Sequence, residues 1–413
     1  MIFPPVTEQL DEIRRGATEI IPEEELVRKL ERSLASGEPL RIKQGFDPTR
    51  PDLHIGHAVS ISKLRDFQEL GHEVIFVVGD YTAMVGDPTG RNEQRPRLSA
   101  DEVAENARSY ADQVFRILDP KRTRVEFNSS WLQPLRLEDV LRLTAQYTVA
   151  RMLERDDFAK RFEGGVPISL VEFMYPLLQA YDSVALRADV ELGGSDQRFN
   201  LLVARSIQER YGQEPQVCLL MPLLRGTDGV HKMSKSYDNY VGLADAPEEQ
   251  YGRTMSVPDD LLEEWYRLAS GLSGDALATA LADVGRDPYA TKRRLAERIV
   301  ALYHGGEAAQ RAADHFDQVF RRRELPDEIP VVTLDPDDES LAVTDRRVGL
   351  PRLLVRAGLA SSNSQAARLI DQGAVSVDGM RAESRSAELT ATGEYVLQKG
   401  KRHFVRVRFG RRV

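Results

Sequence analysis

Apolar positions along the chain switch between a helical and an extended period, and the switches outline an alternating α/β protein. Over residues 23–35, Leu26, Val27, Leu30 and Leu34 recur on one side at helical spacing, which predicts an amphipathic helix. Residues 40–46 read as a strand running into the breaker Asp47-Pro48-Thr49. After His54, the spacing of Ala58, Ile61, Leu64 and Phe67 predicts a helix that stops at Gly71. The run Val74-Ile75-Phe76-Val77-Val78 offers no polar position to solvent, as expected of a strand covered on both faces in a parallel sheet. Strand, helix and strand together form a βαβ crossover, the unit of a doubly wound, Rossmann-like α/β fold.

Farther on, Gly86-Asp87-Pro88-Thr89-Gly90 breaks the pattern, and the polar segment 91–97 reads as a mobile loop. Helical spacing continues to about residue 161. A short strand near 188–192 precedes Gly193-Gly194 and a helix over about 196–211. Residues 247–323 read as helical throughout, including 261–268 and 291–303. Residues 324–344 are acidic and carry Pro326, Pro330 and Pro336, the composition of a linker. The tail then reads as helix (Leu350, Leu353, Leu354), polar cap (Ser361-Ser362-Asn363-Ser364), helix (Ala366, Ala367, Leu369, Ile370), a Gly373 stop, and a strand and turn at Val375-Ser376-Val377-Asp378-Gly379.

Composition narrows the class. The 413 residues are 41% hydrophobic and 29% charged, enough for two to four domains at roughly 100–200 residues each. No stretch approaches the ~18 uninterrupted apolar residues of a membrane helix. Met1-Ile2-Phe3-Pro4-Pro5 resembles neither a secretory leader nor an Arg-rich presequence. The lone Cys218 offers neither an intrachain disulfide nor a multi-thiolate zinc site. The expectation is a cytoplasmic protein without a membrane anchor. Its net charge of −9 is unevenly spread: residues 345–413 hold 14 Lys and Arg against 6 Asp and Glu, a net +8, so the preceding residues carry −17. A basic tail on an acidic body suggests a polyanionic partner, the alternative being a merely solubilising end.

Two segments carry the chemistry. His54-Ile55-Gly56-His57 sits at a predicted strand-to-helix junction, where unpaired N–H groups and the helix dipole favour phosphate. Histidines at i and i+3 share a face and can donate to anionic oxygens, and Gly56 lets a flat nucleoside approach the backbone. Far downstream, Lys232-Met233-Ser234-Lys235-Ser236 places two ammonium groups on a polar loop, able to clamp departing phosphates as charge builds. Either segment alone reads equally as surface residues or a solvated turn.

In this order on an α/β frame, the two segments are similar to the signatures of class I aminoacyl-tRNA synthetases. Gly45-Phe46-Asp47-Pro48-Thr49, Gly86-Asp87-Pro88-Thr89-Gly90, Tyr175-Pro176-Leu177-Leu178-Gln179-Ala180-Tyr181-Asp182 and Gly193-Gly194-Ser195-Asp196-Gln197 resemble the bacterial tyrosyl-tRNA synthetases within that class, over essentially the whole chain. The resemblance implies that Asp182 accepts the hydrogen bond of a substrate phenol, with Asp87, Tyr175, Gln179 and Gln197 around the rest of the amino acid. It implies that Thr49, His54, His57, Lys232 and Lys235 act on the phosphates. Asp47, Gly56, Gly193 and Asp196, with Lys232, Met233, Ser234, Lys235 and Ser236, would hold ATP or the adenylate. Tyr175, Gln179 and Asp182 also fall at i, i+4 and i+7, one stripe of a helix. Many relatives carry a tyrosine where this chain has Lys43. Tyr81 or a water are candidate substitutes.

The tail resembles an S4-type RNA-binding module, with Arg352, Arg356 and Arg368 as candidate RNA contacts. The expected organisation is a Rossmann-like catalytic domain over 1–228, the lysine loop with an all-α anticodon-binding domain over 229–325, a linker over 326–344, and a small α+β S4-like domain over 345–413. The resemblance implies a tyrosine–tRNA ligase using ATP, L-tyrosine and tRNA(Tyr), with Mg2+ accompanying the nucleotide, no protein-bound metal, and a homodimer. The rivals are a tryptophanyl-type synthetase and a catalytically retired RNA-binding homologue.

Overall fold

A computed structural model describes residues 3–49, 52–88, 100–319, 329–344, 346–400 and 403–410. The expected loop at 91–97 lies outside the described residues. The chain packs as two compact units, residues 1–246 with 253–303, and residues 247–252 with 304–413.

The first unit is built on six strands: β1 (Glu19–Ile21), β2 (Arg41–Phe46), β3 (Glu73–Val78), β4 (Thr123–Phe127), β5 (Val190–Gly194) and β6 (Val217–Met221). Their order is β1-β6-β5-β2-β3-β4. All neighbours run parallel except β1, which pairs antiparallel with β6 at the edge. The apolar run in β3 explains its central place: Val74, Phe76 and Val78 join the main core, while Ile75 and Val77 pack on the other face with Leu186 and Trp131. The Ile55–Glu69 helix covers the first face and the Leu170–Leu186 helix lies against the second. Strands β4 and β6 and the edge strand β1 escaped the sequence pattern; β6 (Val-Cys-Leu-Leu-Met) is wholly buried and too short to separate from a helical segment by period alone.

The long Leu170–Leu186 helix begins at a capping box, in which the Ser169 amide donates to Glu172 Oε1 at 2.9 Å. Arg161 fixes that corner with a bidentate pair to Glu172 at 2.5 and 3.0 Å. Such a start sets the helix rotation, and with it the direction of the Tyr175–Gln179–Asp182 stripe.

Helices Leu262–Ala269, Gly274–Val284 and Pro288–His304 follow. Trp265, Leu295 and Ile299 share the main core with the sheet, so residues 253–303 pack with the first unit and not as a separate helical body.

In the second unit, β7 (Val331–Leu334), β9 (Val375–Val377), β10 (Met380–Arg381), β12 (Glu394–Lys399) and β13 (His403–Phe409) form a sheet ordered β10-β9-β12-β13-β7, and β8 (Arg347–Gly349) pairs with β11 (Glu388–Thr390). Helices Leu350–Arg356 and Asn363–Asp371 pack into the same core, the second capped by Ser362 Oγ, which accepts from the Gln365 amide at 3.2 Å. This is the small α+β module expected of the tail. One correction concerns the linker: residues 331–334 are a strand, pairing parallel with β13. Val-Val-Thr-Leu is β-prone and places Leu334 in the core. Proline and acidic composition masked that signal.

Candidate active site

Strand β2 is followed on one side by β3 and β4 and on the other by β5 and β6, so the chain reverses direction between β2 and β5. In open α/β sheets, ligands bind at the carboxyl ends of the strands at such a switch point. A cavity of about 330 Å³ lies there. Both signature segments border it, with His54, Gly56 and His57 on one wall and Lys232, Met233, Ser234, Lys235 and Ser236 on another. Asp47 and Thr49 follow β2, Gly193, Asp196 and Gln197 follow β5, and Asp87, Tyr175, Gln179 and Asp182 complete the lining. Every catalytic, tyrosine-binding and nucleotide-binding candidate of the first unit therefore borders one space.

The two histidines stack at the helix start, ring centroids 3.7 Å apart. The His54 amide donates to His57 Nδ1 at 3.2 Å. That nitrogen must accept, which leaves the proton of a neutral ring on Nε2. Burial and then the nearby lysines depress His57 to about 3, and burial, then His57 and the lysines, hold His54 well below its ordinary value. Both are neutral hydrogen-bond donors near pH 7.

Gly56 is explained by packing: a Cβ there would lie 3.0 Å from His54 Nδ1 and 3.3 Å from Met233 Cβ, and its amide donates to Met233 Sδ at 3.2 Å. Met233, 5% exposed, thus plugs the lysine loop into the base of the histidine helix. Asn239 shapes the same loop. Its Oδ1 accepts from the Ser234 amide at 2.7 Å, and its Nδ2 donates to the carbonyls of His231 and Lys232 at 3.3 and 3.2 Å. The two loop ammonium groups rest on carboxylates, Lys232 on Asp196 at 2.5 Å and Lys235 on Asp52 at 2.7 Å.

Asp47, Asp87 and Asp182 form an acidic part of the lining. Asp47 Oδ1 accepts from the Thr82 hydroxyl at 2.7 Å and Oδ2 from the Tyr175 hydroxyl at 2.9 Å. Desolvation, reinforced by Asp87 and Asp182, raises Asp47 to about 7 in spite of these bonds. Gly79 makes room for it, since a Cβ there would stand 2.1 Å from Asp47 Oδ1. Asp182 accepts from Trp131 Nε1 at 2.8 Å and from Asn128 Nδ2 at 3.3 Å. Burial raises it to about 6, against the pull of Lys43, Trp131 and Asn128. Asp87 takes the Gln197 amide at 2.8 Å.

Lys43 does not line the cavity. It is buried behind the wall in an ion pair with Glu191 at 3.1 Å. Tyr81 is not among the lining residues either; its amide donates to Asn128 Oδ1. Sequence reasoning missed Thr82, Asn128, Trp131, Glu191 and Asn239. Trp131, one of only two tryptophans, was the one with a compositional signal. In the second unit Arg352, Arg356 and Arg368 are all exposed on the two helices, with Arg356 paired to Asp338 at 2.6 Å.

Comparison with known proteins bears on this arrangement. Residues 35–321 match the family model "tRNA synthetases class I (W and Y)", and residues 331–407 match the "Tyrosine–tRNA ligase SYY-like C-terminal domain". The chain is 53% identical over 407 residues to a tyrosine–tRNA ligase of Geobacter sulfurreducens, covering 98% of this chain and 99% of that protein. It is 49% identical to that of Thermotoga maritima over 98% of both. A tyrosyl-tRNA synthetase of Archaeoglobus fulgidus, solved with L-tyrosine, superposes with a TM-score of 0.60 at 27% identity, covering 75% of this chain and 100% of that one. A C-terminally truncated mitochondrial tyrosyl-tRNA synthetase of Aspergillus nidulans gives 0.62 at 25% identity, covering 76% and 94%.

The acidic wall has a measurable signature in stability. Asp47 keeps its proton to about 7 in the folded chain, whereas an unfolded aspartate ionises near ~3.9. Between those values the folded state binds the extra proton, so this residue's contribution to stability falls as pH rises, by up to ~1.4 kcal/mol per unit, and levels off above about 7. Asp47→Asn removes the term. Urea unfolding should show the variant gaining on the unsubstituted protein from pH 4 to 7; a pH-independent difference contradicts the assignment.

Proposed function

The chain belongs to the class I tyrosyl-tRNA synthetases, and we propose that it is a working tyrosine–tRNA ligase whose chemistry takes place in the β2–β5 cavity. The carboxylate of L-tyrosine attacks the α-phosphorus of ATP in line, giving tyrosyl-adenylate and pyrophosphate. A terminal ribose hydroxyl of tRNA(Tyr) then takes the tyrosyl group, releasing AMP and a proton. No covalent enzyme intermediate is required, so rate enhancement rests on positioning and charge stabilisation. The observation that carries this reading is that one cavity is bordered by both histidines, both loop lysines and the carboxylates Asp47, Asp87 and Asp182.

The acidic end suits the amino acid. Asp182, held by Trp131 and Asn128, is an acceptor for the phenol, and phenylalanine would leave it without that donor. Asp87, Tyr175, Gln179 and Gln197 surround the α-ammonium and α-carboxylate, and Asp47, which accepts from the Tyr175 hydroxyl, stands beside them on the adenylate side. The basic end suits the nucleotide. The neutral His54 and His57 donate to phosphate oxygens without a second positive charge crowding the lysines, and Thr49 adds a hydroxyl. Lys232 and Lys235 exchange Asp196 and Asp52 for the leaving pyrophosphate. Asp196 and the backbone at Gly193 then hold the adenylate ribose, with Ser234 and Ser236 shaping the loop.

Magnesium enters as part of the nucleotide substrate and neutralises its phosphates. Among the described residues no group of three or more His, Cys, Asp or Glu is placed to hold a metal ion. The exposed Arg352, Arg356 and Arg368 supply phosphate contacts to the tRNA. Leu137, Leu141, Val149, Phe162 and Leu170 are each 60–81% exposed, apolar side chains available to a homodimer interface. Among the described residues no helix is long and apolar enough to cross a membrane, which fits action in the cytoplasm.

Amino-acid-dependent ATP–pyrophosphate exchange tests the reading, with tyrosine expected to drive exchange. Activation of tryptophan instead, or of neither, would favour one of the two rivals. Lys235→Ala should slow adenylate formation by ~10²–10³-fold while leaving the tyrosine Kd within about two-fold; equal losses in both would contradict the loop's role.

Removing residues 329–413 should leave exchange within about two-fold and cut tRNA charging by at least ~10-fold, through loss of phosphate contacts. Charging that survives intact would refute the tail's assignment.

A further inference from the structure

Behind the cavity wall lies a charged pair that the proposed mechanism does not use. Lys43 on β2 and Glu191 on β5 are register partners, each 1% exposed, with Nζ and Oε1 3.1 Å apart. A buried pair is commonly no better for stability than two apolar residues of the same size, so its presence calls for another reason. Its hydrogen bonds supply one. Lys43 also donates to the main-chain carbonyl of Gln179 at 3.3 Å. Glu191 Oε2 accepts from the Ser183 hydroxyl at 3.1 Å and from the Gln216 side-chain amide, and Glu191 Oε1 accepts from Gln179 Nε2 at 3.1 Å.

A carboxylate only accepts, so the end of the Gln179 amide that meets Glu191 must be its NH2 group. The orientation of the amide is thereby fixed. Its other end, Gln179 Oε1, is buried and has no hydrogen-bond partner, although Gln179 lines the cavity. A buried acceptor without a donor is costly unless a ligand supplies one. Tyrosine's α-ammonium is such a donor.

We propose that Glu191, neutralised by Lys43, is a positioning residue that locks the Gln179 amide with its oxygen presented to the substrate's α-ammonium, so that the pair selects for an amino acid over the corresponding acid. This rests on reading the cavity as the tyrosine site. It also gives Lys43 a role without placing it against the phenol.

The test compares two ligands by equilibrium binding: L-tyrosine and 3-(4-hydroxyphenyl)propionate, which keeps the phenol and carboxylate and lacks the ammonium. In Glu191→Gln the new side chain can present either end and releases Gln179 from its single orientation. The tyrosine Kd should rise ~10-fold, equivalent to ~1.4 kcal/mol, with the propionate Kd unchanged within about two-fold. The double variant Lys43→Met with Glu191→Leu keeps the core neutral and apolar and should lose the same discrimination. Parallel weakening of both ligands, or no change in either, overturns the proposal by assigning the pair a structural role. An unsubstituted protein that binds neither ligand overturns the reading of the cavity, and the inference with it.

Discussion

Several carboxylates share the walls of one small cavity, and much of the surrounding structure manages their repulsion. Two unit charges ~5 Å apart at an effective dielectric of ~20 repel by roughly 3 kcal/mol, and desolvation adds to that. Each carboxylate is relieved differently. Asp47 keeps its proton to about 7 and takes two hydroxyl donors. Asp182 draws on an indole and an amide, and Glu191, behind the wall, on a buried ammonium. A cationic ligand group beside Asp47 and Asp87 would relieve the repulsion between them, which favours an ammonium-bearing substrate.

The far end of the cavity has the opposite problem and a different solution. Four potentially cationic side chains converge there, and two of them, His54 and His57, stay neutral because burial and the lysines hold their protonation down. The two lysines rest on Asp196 and Asp52 in partly exposed pairs. Such pairs contribute only ~0–1 kcal/mol, so an arriving triphosphate can exchange them at little cost. Met233 and Asn239 fix the loop's base while its ammonium groups stay exchangeable.

The sequence made the fold class legible through the uninterrupted apolar run of β3 and the glycine and proline punctuation around it. It made the cavity legible through motifs whose residue types suit one reaction. What stayed hidden was whatever depended on strand pairing. Glu191 looks like one more acidic residue until β5 docks beside β2 and sets it opposite Lys43. Asn128 and Trp131 reach Asp182 from a connection whose own period is weak, and Asn239 acts on carbonyls that no pattern reveals. The strand at 331–334 was hidden for another reason: its proline-bearing, acidic surroundings outweighed four β-prone residues.

A carboxylate wall in which burial keeps Asp47 partly protonated near pH 7 receives the substrate's ammonium, and proton linkage tests this directly. Calorimetric titration of L-tyrosine near pH 7, in buffers of differing ionisation enthalpy, counts protons exchanged on binding. With burial raising Asp47 to about 7, the arriving ammonium should expel protons, so the observed enthalpy should vary with buffer in the sense of net release. An observed enthalpy that does not vary with buffer, or proton uptake in place of release, would contradict it.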